Sequence, residues 1–263
     1  MYNFDVVRPT SVDEAVKALG GEEAQALGGG QTLIPTLKQR LAMPATLVSL
    51  SGIAELQGVS EEGGALVVKG ATVHRAVAEA AADSFPALSD LAGRIGDPAV
   101  RNRGTIGGSL ANNDPSACYP SAALATGATI VTNTREIAAD DYFQGMFTTA
   151  LEEGEIITAV KLPIPEKAAY IKFEQPASRF SLVGIFLAKY ADGVRVAVTG
   201  ASNDGVFRWS EAEEALSSNF SADAVDGLSA PDGSNMISDL HGSGAYRAHL
   251  VKVLTKRAVA QAR

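Results

Sequence analysis

The sequence predicts an α+β protein in two parts, a larger α+β region ending near residue 166 and a smaller antiparallel-sheet-and-helix domain after it. Three observations carry this. Short β-rich segments alternate with amphipathic helical ones as far as "EIITAVKLPIP", where two prolines close the pattern. Two long apolar segments then meet at Asp192-Gly193 in "SLVGIFLAKYADGVRVAVTGA", a strong hairpin signal. The tail, "GAYRAHLVKVLTKRAVAQAR", has the period of one long helix.

In chain order, "SVDEAVKAL" has Ser11 and Glu14 at capping-box spacing, with Ala15, Val16 and Leu19 on one face. "AQAL" runs into "GGGQT", and a helix starts near Leu33, where Pro35 is tolerated and Leu33, Leu37 and Leu41 face a core. "TLVSL" and "ALVVKG" read as strands, "TVHRAVAEAA" as a helix capped by Thr72, and "FPALSDLAGRI" as a further helix. In the tail, Tyr246, Leu250, Val253 and Leu254 form the expected apolar face, with Lys256, Arg257 and Arg263 suited to the helix end. "EAEEAL" at 211–216 reads as a solvated helix face.

Composition narrows the function. At 263 residues, 46% hydrophobic and 20% charged, the chain can bury a sizeable core. Its net charge of −8 would repel nucleic acid and anionic membrane, which leaves small molecules and proteins as partners. A single cysteine, Cys118, excludes an internal disulfide or a cluster held by this chain's cysteines alone, and fits a reducing compartment. Charges at Asp5, Arg8, Asp13 and Glu14 interrupt any secretory core, and the apolar run "LVGIFLA" is too short for a membrane span, so a cytoplasmic protein is expected. His74, His241 and His249 lack metal-ligand spacing and read as structural or solvated; no metal is expected. Trp209, Phe180, Phe186 and Phe207 read as core or subunit interface. No serine-nucleophile elbow or hydrolytic triad is present.

Two glycine clusters carry the chemical signal. Gly28, Gly29, Gly30, Gln31 and Thr32 form one; Thr105, Ile106, Gly107, Gly108 and Ser109 form the other. Each offers backbone without Cβ, so that consecutive amides can converge on an anion beside the hydroxyls of Thr32, Thr105 and Ser109. The first also leads into a helix N-terminus. The alternative, that each is merely a turn, stays open at this level. Residues 28–33 lack the third glycine of the Rossmann fingerprint, and no Gly-Lys step exists for a P-loop. Two separate loops suit an elongated diphosphate between two lobes, hence a flavin dinucleotide on a non-Rossmann fold.

The segments "FDVVRPTSVDEAVKAL", "GGGQTLIPTLKQRLAMPATLVSL", "VRNRGTIGGSLANNDPSACYPSAALATGATI", "ADDYFQGMFTTALEEGEIITAVKLP" and "KFEQPASRFSLVGIFLAK", in this order, resemble the FAD-binding medium subunits of the molybdenum hydroxylases, the group of carbon monoxide, aldehyde and xanthine dehydrogenases. The resemblance implies a two-lobed FAD-binding domain of p-cresol methylhydroxylase type at 1–166, with lobes at about 1–55 and 56–166, and a C-terminal flavoprotein domain at 167–263. It implies that the two glycine clusters hold the FAD diphosphate and adjoining ribose, that Asp114 occupies an acidic cofactor-facing position, and that Ile157, through its backbone, and Lys172 approach the flavin. Cys118 stands where many relatives carry aspartate, and a thiol cannot accept a strong hydrogen bond as a carboxylate does. The resemblance further implies an electron-transfer subunit with no catalytic residue of its own. Its partners would be a small [2Fe-2S] subunit and a large molybdopterin subunit, as a dimer of heterotrimers, with electrons passing to an external acceptor. Two alternatives accompany this expectation: a self-contained FAD-dependent reductase using NADPH, for which no acid/base set is evident, and a flavin-binding assembly module without turnover.

Overall fold

The computed structural model describes residues 1–263. The chain opens with β1 (Asp5–Val7), α1 (Val12–Leu19), β2 (Ala24–Leu27), α2 (Leu33–Lys38) and β3 (Thr46–Ser49). The strands form a parallel sheet in the order β1-β3-β2. Ser11 Oγ accepts the Glu14 amide at 3.2 Å and so caps α1. The Glu14 carboxylate accepts from the Thr10 amide at 2.7 Å, one residue upstream of capping-box geometry. Ala15 and Leu19 pack with Val48, Ile53 and Leu56 in a small core. One expectation fails here. Leu41 is 74% exposed because α2 ends at Lys38, before the chain reaches that face again; Leu37 alone of the three leucines is buried.

The next stretch contains β4 (Val59–Glu62), β5 (Ala65–Lys69), α3 (His74–Ala80), α4 (Pro86–Gly93), α5 (Pro98–Arg101), α6 (Ile106–Asn112), α7 (Tyr119–Thr126), β6 (Thr129–Thr132), β7 (Glu136–Ala138), α8 (Ala139–Tyr142), β8 (Phe143–Gly145), β9 (Thr148–Thr149) and β10 (Ile157–Pro163). Five strands form an antiparallel sheet in the order β4-β5-β10-β6-β7. Its central strand, β10, is the last in sequence, so the sheet closes only when the intervening helices have been looped out. Thr72 does not cap α3. Its side chain is buried and bonds both the N–H and the C=O of Gly58 at 3.0 Å, while Val73 holds the N-cap position without a side-chain bond.

The remainder is a meander, β11 (Lys167–Glu174), β12 (Ser181–Tyr190), β13 (Gly193–Ser202) and β14 (Gly205–Arg208), followed by α9 (Ser210–Ser218), α10 (Ala222–Asp226) and α11 (Gly244–Gln261). Residues 181–188 of β12 are all buried because both faces of this sheet are covered. Phe186 and Ala188 point to α4 and α7, whereas Ile185 and Leu187 point to the side packed by Trp209, Val251 and Leu254. Tyr190 pairs with Gly193, which places Ala191 and Asp192 in the loop, one residue earlier than the sequence signal. The buried residues of α11 are Gly244, Arg247, Ala248, Leu250, Val251, Leu254, Thr255, Ala258 and Val259, so Leu250 and Leu254 are buried as expected. Tyr246, expected on that face, is 40% exposed and lies edge-on to Phe173. Arg247 takes the inward position because its guanidinium donates to the carbonyls of Leu182 and Gly200, each at 2.8 Å, and to Asp239. Glu213 likewise departs from the solvated-face expectation: it is buried and accepts from Arg208 and from the Val196 amide. No helix is long and apolar enough to cross a membrane.

Candidate functional site

A cleft of about 750 Å³ runs between the first sheet, the loops at 70–74 and 104–109, and the edge of the meander. Its size lies within the roughly 300–1,000 Å³ typical of small-molecule sites. The two glycine clusters meet across it. A Cβ on Gly29 would overlap the Arg103 carbonyl and lie 2.6 Å from the Gly104 Cα. A Cβ on Gly28 would lie 3.1 Å from Thr105 Oγ1 and 3.8 Å from the Gly108 Cα. Backbone therefore packs on backbone at Gly29, which only glycine permits.

The two clusters present different chemistry. The amides of residues 28–33 donate to no acceptor within the chain, although the carbonyls of Gly30 and Thr32 are used by the amides of Ile34 and Thr36. A row of unpaired N–H groups thus lines one wall, turned by Gly30 at a φ of +70°. The second cluster does not offer converging amides, contrary to expectation. Ile106 N–H goes to Thr72, Gly107 N–H to Gly70, Gly108 N–H to Thr105 Oγ1 and Ser109 N–H to the Thr105 carbonyl. What it offers is the bare backbone of Gly108 and the hydroxyls of Thr105 and Ser109, which donate to nothing in the chain. Ile106 is a further correction. Its side chain is 1% exposed in the main core and does not reach the cleft.

Farther along, Asp114 lines the cleft while one of its carboxylate oxygens accepts the Ser116 amide at 2.8 Å. Cys118, Ile157 and Lys172 are buried at the wall. Lys172 Nζ donates to the Arg94 carbonyl at 2.9 Å and stands 3.7 Å from Cys118 Sγ, with no carboxylate partner. Cys118 is thus both a buried core residue and part of a polar group that includes Ser181, 3.5 Å away, and Tyr170. Tyr170 is held well above its ordinary pKa by burial and then by the neighbouring Cys118.

Residues 2–165 match the family described as the FAD-binding domain in molybdopterin dehydrogenase. The chain belongs to that family. It is 31% identical to the carbon monoxide dehydrogenase medium chain of Afipia carboxidovorans, over 99% of this chain and 97% of that one. It is 32% identical to the glyceraldehyde dehydrogenase medium chain of Sulfolobus acidocaldarius, over 97% and 96%. Among solved structures, reconstituted CO dehydrogenase from Oligotropha carboxidovorans superposes with a TM-score of 0.89 at 32% identity, covering 99% of this chain and 97% of that one. The chain is therefore an FAD-binding medium subunit of the oxidoreductase class, and its fold is the α+β fold of those subunits.

The residues fit the family's cofactor. Unpaired amides at 28–33 on one wall and the hydroxyls of Thr105 and Ser109 on the other suit an anionic diphosphate, and Gly28 and Gly108 let the two loops come close together at the cleft. Of the residues expected from sequence, all but Ile106 line one cleft. Several lining residues went unrecognised: Gly70, Gly104, His74 and the turn carrying Ser178, Arg179 and Phe180. The usable signal was the Gly70 step at the end of a strand, with His74 one helical start later. Phe180, expected in a core or interface, is half-buried on the cleft. His74, expected to be structural or solvated, is 4% exposed and has its pKa pushed down to about 4 by burial and then by Arg101.

Proposed function

We propose that the cleft holds FAD with the diphosphate on the 28–33 amides and on Thr32, Thr105 and Ser109, and with the flavin toward Ile157, Cys118 and Lys172. The observation that carries this is the row of amides at 28–33 without acceptors, on residues that line the cleft together with Thr105 and Gly108. Residues 1–166 act as the flavin domain, in lobes of about 1–55 and 56–166, and 167–263 as the C-terminal domain. When bound, FAD supplies one- and two-electron redox chemistry. Gly28 and Gly108 let the two loops close together at the phosphates, Asp114 takes a hydroxyl of the adenosine half, and the Lys172 ammonium biases the flavin end toward negative charge.

In this reading the chain moves electrons rather than substrate. They come from the [2Fe-2S] clusters of a small partner subunit, after oxidation of an aldehyde, N-heterocycle or similar small molecule at the molybdopterin of a large one, and leave to an external acceptor. The assembly is a cytoplasmic heterotrimer doubled by symmetry.

The test is anaerobic flavin absorbance. Purified chain should carry one equivalent of FAD that its complex's substrate does not bleach; the same flavin should bleach when both partners are present. Bleaching by substrate in the chain alone would establish a self-contained reductase or oxidase. A flavin that stays oxidised in an active complex would establish an assembly module.

A further inference from the structure

His74 opens α3 at the cleft wall, and its two ring nitrogens have different surroundings. Nδ1 is fully buried with no hydrogen-bond partner. Nε2 has none either, yet it is not enclosed in that way; it lies beneath Gly104, where a Cβ would overlap it and come within 2.9 Å of Cδ2. Gly104 and His74 both line the cleft, and Gly104 is the residue on which Gly29 of the first loop packs. The glycine thus keeps the imidazole edge open at the point where the two loops meet. A ring 96% buried and lacking any polar partner is unusual in a native protein, where buried polar groups are nearly always hydrogen-bonded.

The same surroundings favour the neutral ring. With its pKa pushed down to about 4, the imidazole is neutral and carries one proton. Placing that proton on Nδ1 would bury an N–H without an acceptor; placing it on Nε2 leaves only a lone pair unmet, which costs less. Nε2–H is then a neutral donor facing the cleft. Tyr119, whose ring centroid is 5.3 Å from that of His74, backs the imidazole and limits its swing.

We propose that His74 is a cofactor-contacting residue whose Nε2–H, uncovered by Gly104, donates a hydrogen bond to an oxygen of the dinucleotide held between the two glycine loops. This rests on the assignment of the cleft to FAD. It adds a donor from α3 to a site otherwise built from loop amides and hydroxyls, and it gives Gly104 a reason to be glycine apart from turn geometry.

The experiment is FAD titration by flavin fluorescence on the FAD-free full chain, with His74→Phe and His74→Gln as variants, together with NMR of ¹⁵N-histidine-labelled wild type. His74→Phe removes the donor at similar ring size, and His74→Gln returns an N–H near the Nε2 position. Loss of one neutral hydrogen bond should weaken FAD about three- to tenfold in His74→Phe, with recovery in His74→Gln. The chain has three histidines, and the Nε2–H signal absent from His74→Phe should shift when FAD is added to wild type. Equal FAD affinity in wild type and His74→Phe, or an unshifted Nε2–H signal on saturation, overturns the proposal and leaves the cleft assignment standing. Should His74→Phe not fold, the Nε2–H signal and the His74→Gln affinity decide alone. A wild-type chain that takes up no FAD overturns the cleft assignment and this proposal together.

Discussion

Gly28 and Gly108, far apart in the chain, pack close together at the cleft: a Cβ on Gly28 would stand 3.8 Å from the Gly108 Cα. The neighbouring Gly107 is different in kind, because its Cβ would lie 2.6 Å from the Gly70 carbonyl oxygen, inside the protein. Adjacent glycines therefore meet different obstacles, a hydroxyl at Gly108 and backbone at Gly107, and substitution separates the two.

Gly108→Ala should weaken FAD by tenfold or more while leaving the melting temperature of the FAD-free chain nearly unchanged. The new methyl would come within 2.9 Å of the Thr105 hydroxyl that caps α6, and the cost of shifting that cap is offset by alanine's preference over glycine in a helix, about 1 kcal/mol. Gly107→Ala should instead cost about 1–3 kcal/mol of stability through backbone overlap. Thermal melts beside FAD titrations would check both, and an unfolded Gly108→Ala with a stable Gly107→Ala would reverse the assignment.

Stability of the FAD-free chain should fall with acid through His74. Its folded pKa of about 4 lies below the unfolded value of 6.5, so the unfolded state takes the proton first as pH drops. The contribution is whole above about pH 6.5 and is lost toward pH 4, amounting to about 3 kcal/mol at most. Urea midpoints across this window should move less in His74→Phe than in wild type. Parallel curves for the two proteins would show that other groups govern the acid limb.

Lys172→Met should leave FAD-free stability unchanged or higher, since it removes a buried cation whose only partners are the Arg94 carbonyl and the Cys118 thiol. FAD should bind about tenfold more weakly to the same variant, because the ammonium that favours negative charge at the flavin end is gone. Isothermal titration and a redox titration of the bound flavin would read this; an unchanged affinity and potential would remove Lys172 from the site.

Arg247→Met should destabilise the chain by about 3–5 kcal/mol. The buried guanidinium ties α11 to β12 and β13 through the Leu182 and Gly200 carbonyls, and its loss leaves both without that donor, while the exposed Asp239 turns to water. Denaturant unfolding would measure the loss, and a midpoint within error of wild type would show that water replaces those bonds.

Legibility followed the range of the governing interaction. Ser11 capping α1, the turn after Tyr190, and the helical periods of residues 12–19 and 244–261 are decided within a few residues, and local propensity reads them. The glycine clusters were likewise visible as backbone that must approach something. Which approach each makes was not, because the amides of Ile106 and Gly107 are claimed by Thr72 and Gly70, carbonyls on another loop. Sequence by itself determined the strand and helix inventory, the absence of local phosphate-loop motifs and, through extended resemblance, the family. Only the tertiary structure decided that 28–33 keeps free donors while 106–109 does not, that Leu41 is exposed and Arg247 buried, and that His74 reaches the cleft. The physical reason is that a side chain's burial and a donor's partner depend on the element packed against it, and β10 crossing to the centre of its sheet brings those elements together from opposite ends of the domain.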